Sequence, residues 1–414
     1  MPNNNLSKWL YPGMRIKRWM FASLFGMLVV AFGSIFAVNP YPFVSRLGMI
    51  IIVCGLLFSV LGMGKVTVSL ITLFLPQRER DIVNILYQKR YLERGPKIVA
   101  IGGGHGLSHL LLGLKEYTAN LTAIVTVADS GGSSGRLREE FNIVAPGDIR
   151  NCLVALADAP ALMGQLFQYR FAEGEGLKGH NFGNLFLTAM VKLTDGDFQK
   201  AVEESSKVLA IRGKVIPSTV HNVHLVAEYA DGSTLEGEAS IPGKNMPIHR
   251  VFLKPDDAKP TLEAIAAIDE ADIIVMGPGS LYTSILPNLI IPGMSEAIAK
   301  SGAYKIYVCN VMTQKGETTD YSAGDHVKAI VDHANPGVLD ACIINNAVVA
   351  DKALKRYSDE GSFPVAPDPE RIKDMGYKVV ATDLLSITDY IRHDSKKLTQ
   401  VLIKLIETQR GVRR

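Results

Sequence analysis

Cysteine is scarce: four in 414 residues, at positions 54, 152, 309 and 342, with no CxxC pair and no other metal-ligand spacing. That scarcity excludes a disulfide framework and a zinc-ribbon site, and it fits isolated buried thiols in a reducing compartment. No GxxxxGK[ST] occurs, so a P-loop NTPase is a poor fit. No clean GxGxxG occurs either, which weakens an ordinary dinucleotide site. No Ser/His/Asp or Cys/His spacing argues for a nucleophile, and no carboxylate pair stands out for acid–base work. Repeats of solenoid period and low-complexity tracts are lacking. A basic surplus is missing where nucleic acid would require one. Residues 97–414 hold 33 Lys and Arg against 38 Asp and Glu, which argues against nucleic acid as a partner.

The basic excess lies in residues 1–96, with 11 Lys and Arg against three acids. It flanks two long apolar runs. Trp19 to Val38 is 20 residues without a charge, about 30 Å as a helix and so the thickness of a bilayer core. Leu47 to Gly64 is a second uncharged run of 18. Only NPYPFVSR separates them, with Tyr41 and Phe43 at interface depth. A signal peptide fits poorly, because a cleavage site is absent and a second run follows. Lys8, Arg15, Lys17 and Arg18 precede the pair, and Lys65, Arg78 and Arg80 follow it. The positive-inside rule then puts both ends in the cytoplasm. Residues 1–64 are expected to be a multi-pass cell-membrane anchor with helices at 19–38 and 47–64. Residues 66–76 suit the interface. A helix over 77–95 would either rest Arg78, Arg80, Lys89, Arg90 and Arg94 on anionic lipid or serve as a solvated linker.

From residue 96 the chain reads as one cytoplasmic domain. An apolar run ends in GGGHG, an amphipathic helix follows, and a second apolar run ends at Asp129 before the loop SGGSSG. This is the opening βαβ unit of a nucleotide-binding sheet. Helices are expected from Pro146, Ala161, Asn184 and Asp197. Alternating runs at 223–229 and 234–241, joined by Ala230–Asp231–Gly232–Ser233, predict a hairpin within an antiparallel insertion over 215–255. Strands near 272–276, 305–309, 341–344 and 377–381 then alternate with helices. The TDYIRHDS segment reads as a loop. The fold class is α/β, a Rossmann-like, mainly parallel sheet with helices on both faces.

In such sheets ligands bind beyond the carboxyl ends of the strands, where the polar clusters fall. GGGHG (Gly102, Gly103, Gly104, His105, Gly106) can offer backbone N–H groups to an anion or serve only the turn. Asp129 can take a ribose hydroxyl, a divalent ion, or the N–H groups of its own loop. Ser130, Gly131, Gly132, Ser133 and Ser134 suit phosphate or sugar oxygens, and Arg136 and Arg138 are phosphate partners or surface charges. His180 reads as a ligand contact or a structural hydrogen bond, not a metal ligand. Gly277, Pro278, Gly279 and Ser280 form a second candidate anion loop, and Asn310 opens NVMTQ after the next strand.

These segments carry a resemblance. GGGxGLSxLLxGLK, VTVADxGGSSGRLR, PGDIRN, GHxFGN, GPGSLYTSIxPNL, NVMTQxGET and RHD, in this order, resemble the gluconeogenesis factor (YvcK-like) family. That family lies within the 2-phospho-L-lactate transferase (CofD-like) superfamily. The match spans about 96–407 and leaves the N-terminal hairpin outside. The resemblance implies a Rossmann-like core binding a UDP-sugar, UDP-N-acetylglucosamine or UDP-glucose. It also implies a role in cell shape and cell-wall synthesis on gluconeogenic carbon sources, with wall-synthesis proteins as candidate partners and a homo-oligomer compatible. By motif it places Gly102–Gly106, Asp129 with its loop, Asn181 and Gly277–Ser280 along the nucleotide crevice, with Tyr357 and Arg392 as C-terminal ligand contacts. His105 departs from a common Thr and Ser130 from a common second Asp. The latter weakens a two-carboxylate Mg2+ site, and with it transfer chemistry. Ser395 reads as the cap of the last helix or as a modifiable hydroxyl. The expectation is a membrane-anchored UDP-sugar-binding regulator, with a CofD-like transferase as the alternative and an NADP-dependent redox protein behind both.

Overall fold

The computed structural model describes residues 16–74, 92–158, 161–349, 351–387 and 391–412. The chain divides into two units, Met1–Gln88 and Lys89–Arg414. The first holds helices Ile16–Ala37 and Pro42–Phe74. The turn between them is shorter than expected. Pro42 starts the second helix, where its missing N–H costs nothing, and Asn39 Oδ1 accepts from Tyr41 N at 3.1 Å. Residues 66–74 continue the second helix and do not form a separate interfacial segment, since no Gly or Pro interrupts VTVSLITLF. The helix expected over 77–95 lies outside the described residues as far as 91.

The second unit is built on seven parallel strands. In chain order they are β1 (Ile98–Gly102), β2 (Leu121–Val125), β3 (Lys214–Pro217), β7 (Ile273–Met276), β8 (Tyr304–Val308), β9 (Ala341–Asn345) and β10 (Lys378–Thr382). Between β3 and β7 come β4 (His224–Tyr229), β5 (Thr234–Glu236) and β6 (Ile248–Lys254). The parallel order is β10-β9-β8-β7-β1-β2-β3. Every residue of β1, β7 and β8 is buried, as strands covered on both faces must be. Helices on the two faces close one continuous core over Leu107, Leu111, Ile149, Leu153, Ile285 and Ile298.

Two expectations shift. β3 is an edge strand of the parallel sheet, paired with β2, so the antiparallel part begins at His224. It is a separate three-stranded sheet, β5-β4-β6, whose hairpin turns at Asp231–Gly232 with Asp231 Oδ1 accepting from Ser233 N at 3.0 Å. The RHD segment is a strand rather than a loop: β12 (Ile391–His393) pairs antiparallel with β11 (Leu385–Ile387). Its register is held because Leu385 and Ile391 are buried with Val311 and Val349. Asp351–Asp359 is helical.

Candidate functional site

The chain runs outward from β1 through β2 to β3, then returns to β7 on the other side of β1. The loops after β1 and β7 therefore meet at the topological switch point, where ligands of such sheets bind. They interlock. Gly277 N donates to Ile101 O at 2.9 Å, and a Cβ on Gly106 would stand 2.3 Å from Pro278 O. Gly104, at φ +62, starts the helix Gly104–Leu114. Beyond the loops opens a cleft of about 620 Å³.

Of the expected residues, Gly103, Gly104, His105, Gly106, Asp129, Pro278, Gly279, Ser280, Asn310, Tyr357 and Arg392 line this cleft. Asn310 Oδ1 accepts from Gly279 N at 3.1 Å, and Ser280 Oγ donates to Gln314 Oε1 at 2.8 Å. Gly131, Gly132, Ser133 and Ser134 line a smaller adjoining cleft that shares His105, Asp129 and Asp148. Gly102, Ser130, Asn181 and Gly277 line neither. Gly102 O accepts from Thr126 N at 2.9 Å, and Gly277 N is held by Ile101 O. Ser130 Oγ accepts from Ala239 N at 3.1 Å. Asn181 caps the helix Phe182–Leu193, its Oδ1 accepting from Asn184 N at 3.2 Å. His180 also lines neither: its Nδ1 lies 3.2 Å from Ser133 Oγ. Arg138 is buried and donates from Nε to Asn222 Oδ1 at 2.6 Å, while Arg136 donates to Lys178 O. Tyr357 faces the cleft, but its hydroxyl accepts from Ile391 N at 2.8 Å. Asp394 caps the last helix, accepting from Lys396 N and Lys397 N. Ser395 instead donates to His109 O at 2.8 Å, tying that helix to Gly104–Leu114.

Sequence spacing missed the acids. No carboxylate pair was evident, yet Asp129, Asp148 and Glu238 line one cleft. Asp129 Oδ1 accepts from Gly131 N at 2.8 Å. Burial, then the charge of Asp129, raises Asp148 to about 7. Burial, then Asp129, Asp148 and Glu317, raises Glu238 to about 8. Glu317, beneath Thr283, is raised by burial to about 7. Glycine at 103 leaves the space these acids need, since a Cβ there would sit 2.5 Å from Asp148 Oδ2. On the basic side, burial followed by Arg150 and Arg392 lowers His105, and Arg392 Nη1 lies 3.5 Å from His109 Nε2. Asp148 stands within PGDIRN in the first turn of a helix, a place where an acid needs no functional reason. Glu238 had no signal, because the antiparallel sheet delivers it. Glycine loops, one exposed arginine and carboxylates raised by burial give this cleft the groups to meet a polyanion and to exchange protons beside it. Among the described residues no group of three His, Cys, Asp or Glu is placed to hold a metal ion.

Residues 98–385 match the model of the 2-phospho-L-lactate transferase CofD family. A putative gluconeogenesis factor of Nostoc sp. is 46% identical over 97% of this chain and 92% of its own. The gluconeogenesis factor of Bacillus subtilis is 50% identical over 75% of this chain and 98% of its own. The crystal structure of a UPF0052-family protein from Bacillus halodurans superposes with a TM-score of 0.73 at 47% identity, over 75% of this chain and 99% of that one. The Nostoc match reaches into the N-terminal segment, so similarity extends beyond the 96–407 span set by the motifs. The motif order, the switch-point cleft and these matches agree: the chain belongs to the gluconeogenesis factor family, within the CofD-like superfamily.

Proposed function

We propose that the main cleft binds a nucleotide-sugar, UDP-N-acetylglucosamine or UDP-glucose, and that the protein reports its level to cell-wall synthesis at the cell membrane. The observation that carries this reading is the meeting of two anion-type loops, Gly103–Gly106 and Pro278–Ser280, with Arg392 across the same cleft. The loops offer backbone N–H groups to a diphosphate, and a guanidinium can pair it. Tyr357 can present its ring to a base or sugar. The relatives' names support a role in growth on gluconeogenic carbon. Mg2+, if used, would need ligand phosphate oxygens beside Asp129 to complete its shell. Calorimetry on the full chain with UDP-N-acetylglucosamine tests the reading: saturable heat is expected, and Arg392→Ala should weaken it about tenfold. No heat at millimolar ligand would sink it.

A second reading, transfer of a phospho-group from a nucleotide-linked donor, draws on one observation. Asp148 and Glu238, raised to about 7 and 8, are acids suited to proton transfer near neutral pH, which offsets the loss of an acid at Ser130. Turnover of a nucleotide-linked donor, abolished in Asp148→Asn with binding retained, would favour it.

A further inference from the structure

The smaller cleft, about 280 Å³, lies across the shared wall of His105, Asp129 and Asp148 from the main one. The helices Gly132–Phe141 and Gly147–Leu156 both start on it, and neither has a side-chain cap. Their first-turn N–H groups therefore lack the acceptor that such termini usually have. Two buried side chains also line the same cleft. Arg150, 9% exposed, donates from Nη2 to Asn151 Oδ1 at 2.7 Å, while its Nε has no partner. Asn184, 2% exposed, donates from Nδ2 to Ser134 Oγ at 3.3 Å, while its Oδ1 has no partner. Arg170 adds an exposed guanidinium, its Nη1 donating to Gly179 O at 2.7 Å.

A buried guanidinium nitrogen left without an acceptor is costly, and native structures rarely tolerate it without a ligand, ion or water. The unmet donors here come from two helix starts and a guanidinium. A planar carboxylate has too few oxygens to meet them; a tetrahedral oxyanion has enough. The volume is too small for a nucleotide and sufficient for a phosphate with a small organic group. We propose that this cleft is a second binding site, taking inorganic phosphate or a small phosphate monoester while the main cleft holds its own ligand. The reading does not depend on which nucleotide-sugar, if any, the main cleft binds. With both sites filled, Asp129 and Asp148 stand between the two ligands.

The test is calorimetry with inorganic phosphate on the full-length, detergent-solubilised protein, with and without saturating UDP-N-acetylglucosamine. Saturable phosphate binding is expected in both arms, with acetate weaker by about tenfold or more. Arg170→Gln, at the exposed rim, should weaken phosphate about fivefold and leave the nucleotide-sugar isotherm in place; Arg150→Lys should weaken phosphate as well. Displacement of phosphate by the nucleotide-sugar would merge the two clefts into one site and overturn the proposal. So would equal binding of acetate, an unchanged phosphate affinity in Arg170→Gln, or no phosphate heat at millimolar concentration. Failure of the nucleotide-sugar alone would leave the phosphate arm readable, so the two readings fail separately.

Discussion

Glu238 shows what a single residue contributes. It is half-buried, reaches the cleft from the loop after β5, and faces Asp129, Asp148 and Glu317, so its proton is retained up to about pH 8 instead of the usual 4.5. The folded state therefore binds more protons than the unfolded chain between those two values, and stability must fall as pH rises through the window. Asp148, raised from 3.8 to about 7, adds to the same slope. The expected outcome is a thermal midpoint that declines from about pH 5 to about pH 8.5, with Glu238→Gln flattening the decline and gaining most at the alkaline end. Parallel curves for the two proteins would refute the assignment. The same protons lower the negative charge that a diphosphate meets, so nucleotide-sugar affinity should also weaken with rising pH. Asp129 could be read from its place after an apolar run. Glu238 could not, because only the packing of a distant antiparallel sheet brings it there.

At the scale of elements, the parallel strands were legible because continuous apolar runs ending in glycine or polar loops leave few alternatives; β1, β7, β8, β9 and β10 fall within a residue or so of expectation, while β2 stops at Val125, short of the expected end at Asp129. The C-terminal hairpin was not. β11 and β12 are three residues each, too short for alternation to register, and their pairing depends on burial against Val311 and Val349. That hairpin carries Arg392, and Tyr357 is what steadies it, through the hydroxyl that accepts from Ile391 N. The resemblance marks both residues, and in the structure the Tyr357 hydroxyl holds the strand that carries Arg392. Tyr357→Phe should leave global stability within about 1 kcal/mol and weaken nucleotide-sugar binding severalfold. Amide exchange at Ile391 should rise in the same variant. Loss of affinity without faster exchange at Ile391 would mean that the hydroxyl touches ligand directly.

The whole molecule poses a question of solvent. In a water-soluble helix pair apolar side chains turn inward; in Ile16–Ala37 and Pro42–Phe74 they turn outward, with Phe21 71%, Ile35 72% and Phe43 80% exposed. Small residues sit at close approaches between the helices. A Cβ on Gly26 would stand 2.6 Å from Ser59 N, one on Gly48 2.4 Å from Ala37 N, and one on Gly62 2.7 Å from Ser23 N. Ser59 Oγ donates to Ser23 O at 3.2 Å. Small residues inside and apolar residues outside is the arrangement lipid favours and water penalises. The second candidate span, Pro42–Ser69, has 28 residues, about 42 Å of helix against a core of about 30 Å, so it must tilt or project beyond the hydrocarbon. The Bacillus halodurans structure covers 75% of this chain and 99% of its own, so the second unit has a counterpart that folds without such a pair. The full chain should therefore sediment with membranes, resist release by high salt or alkaline carbonate, and dissolve in detergent. A chain beginning at Leu92 should stay in the supernatant and bind the nucleotide-sugar within about twofold of the full chain, because every residue lining the main cleft lies beyond that point. Release of the full chain by salt alone would show that the pair lies on the membrane surface or meets another protein, and the anchor reading would fail while the cleft reading stood.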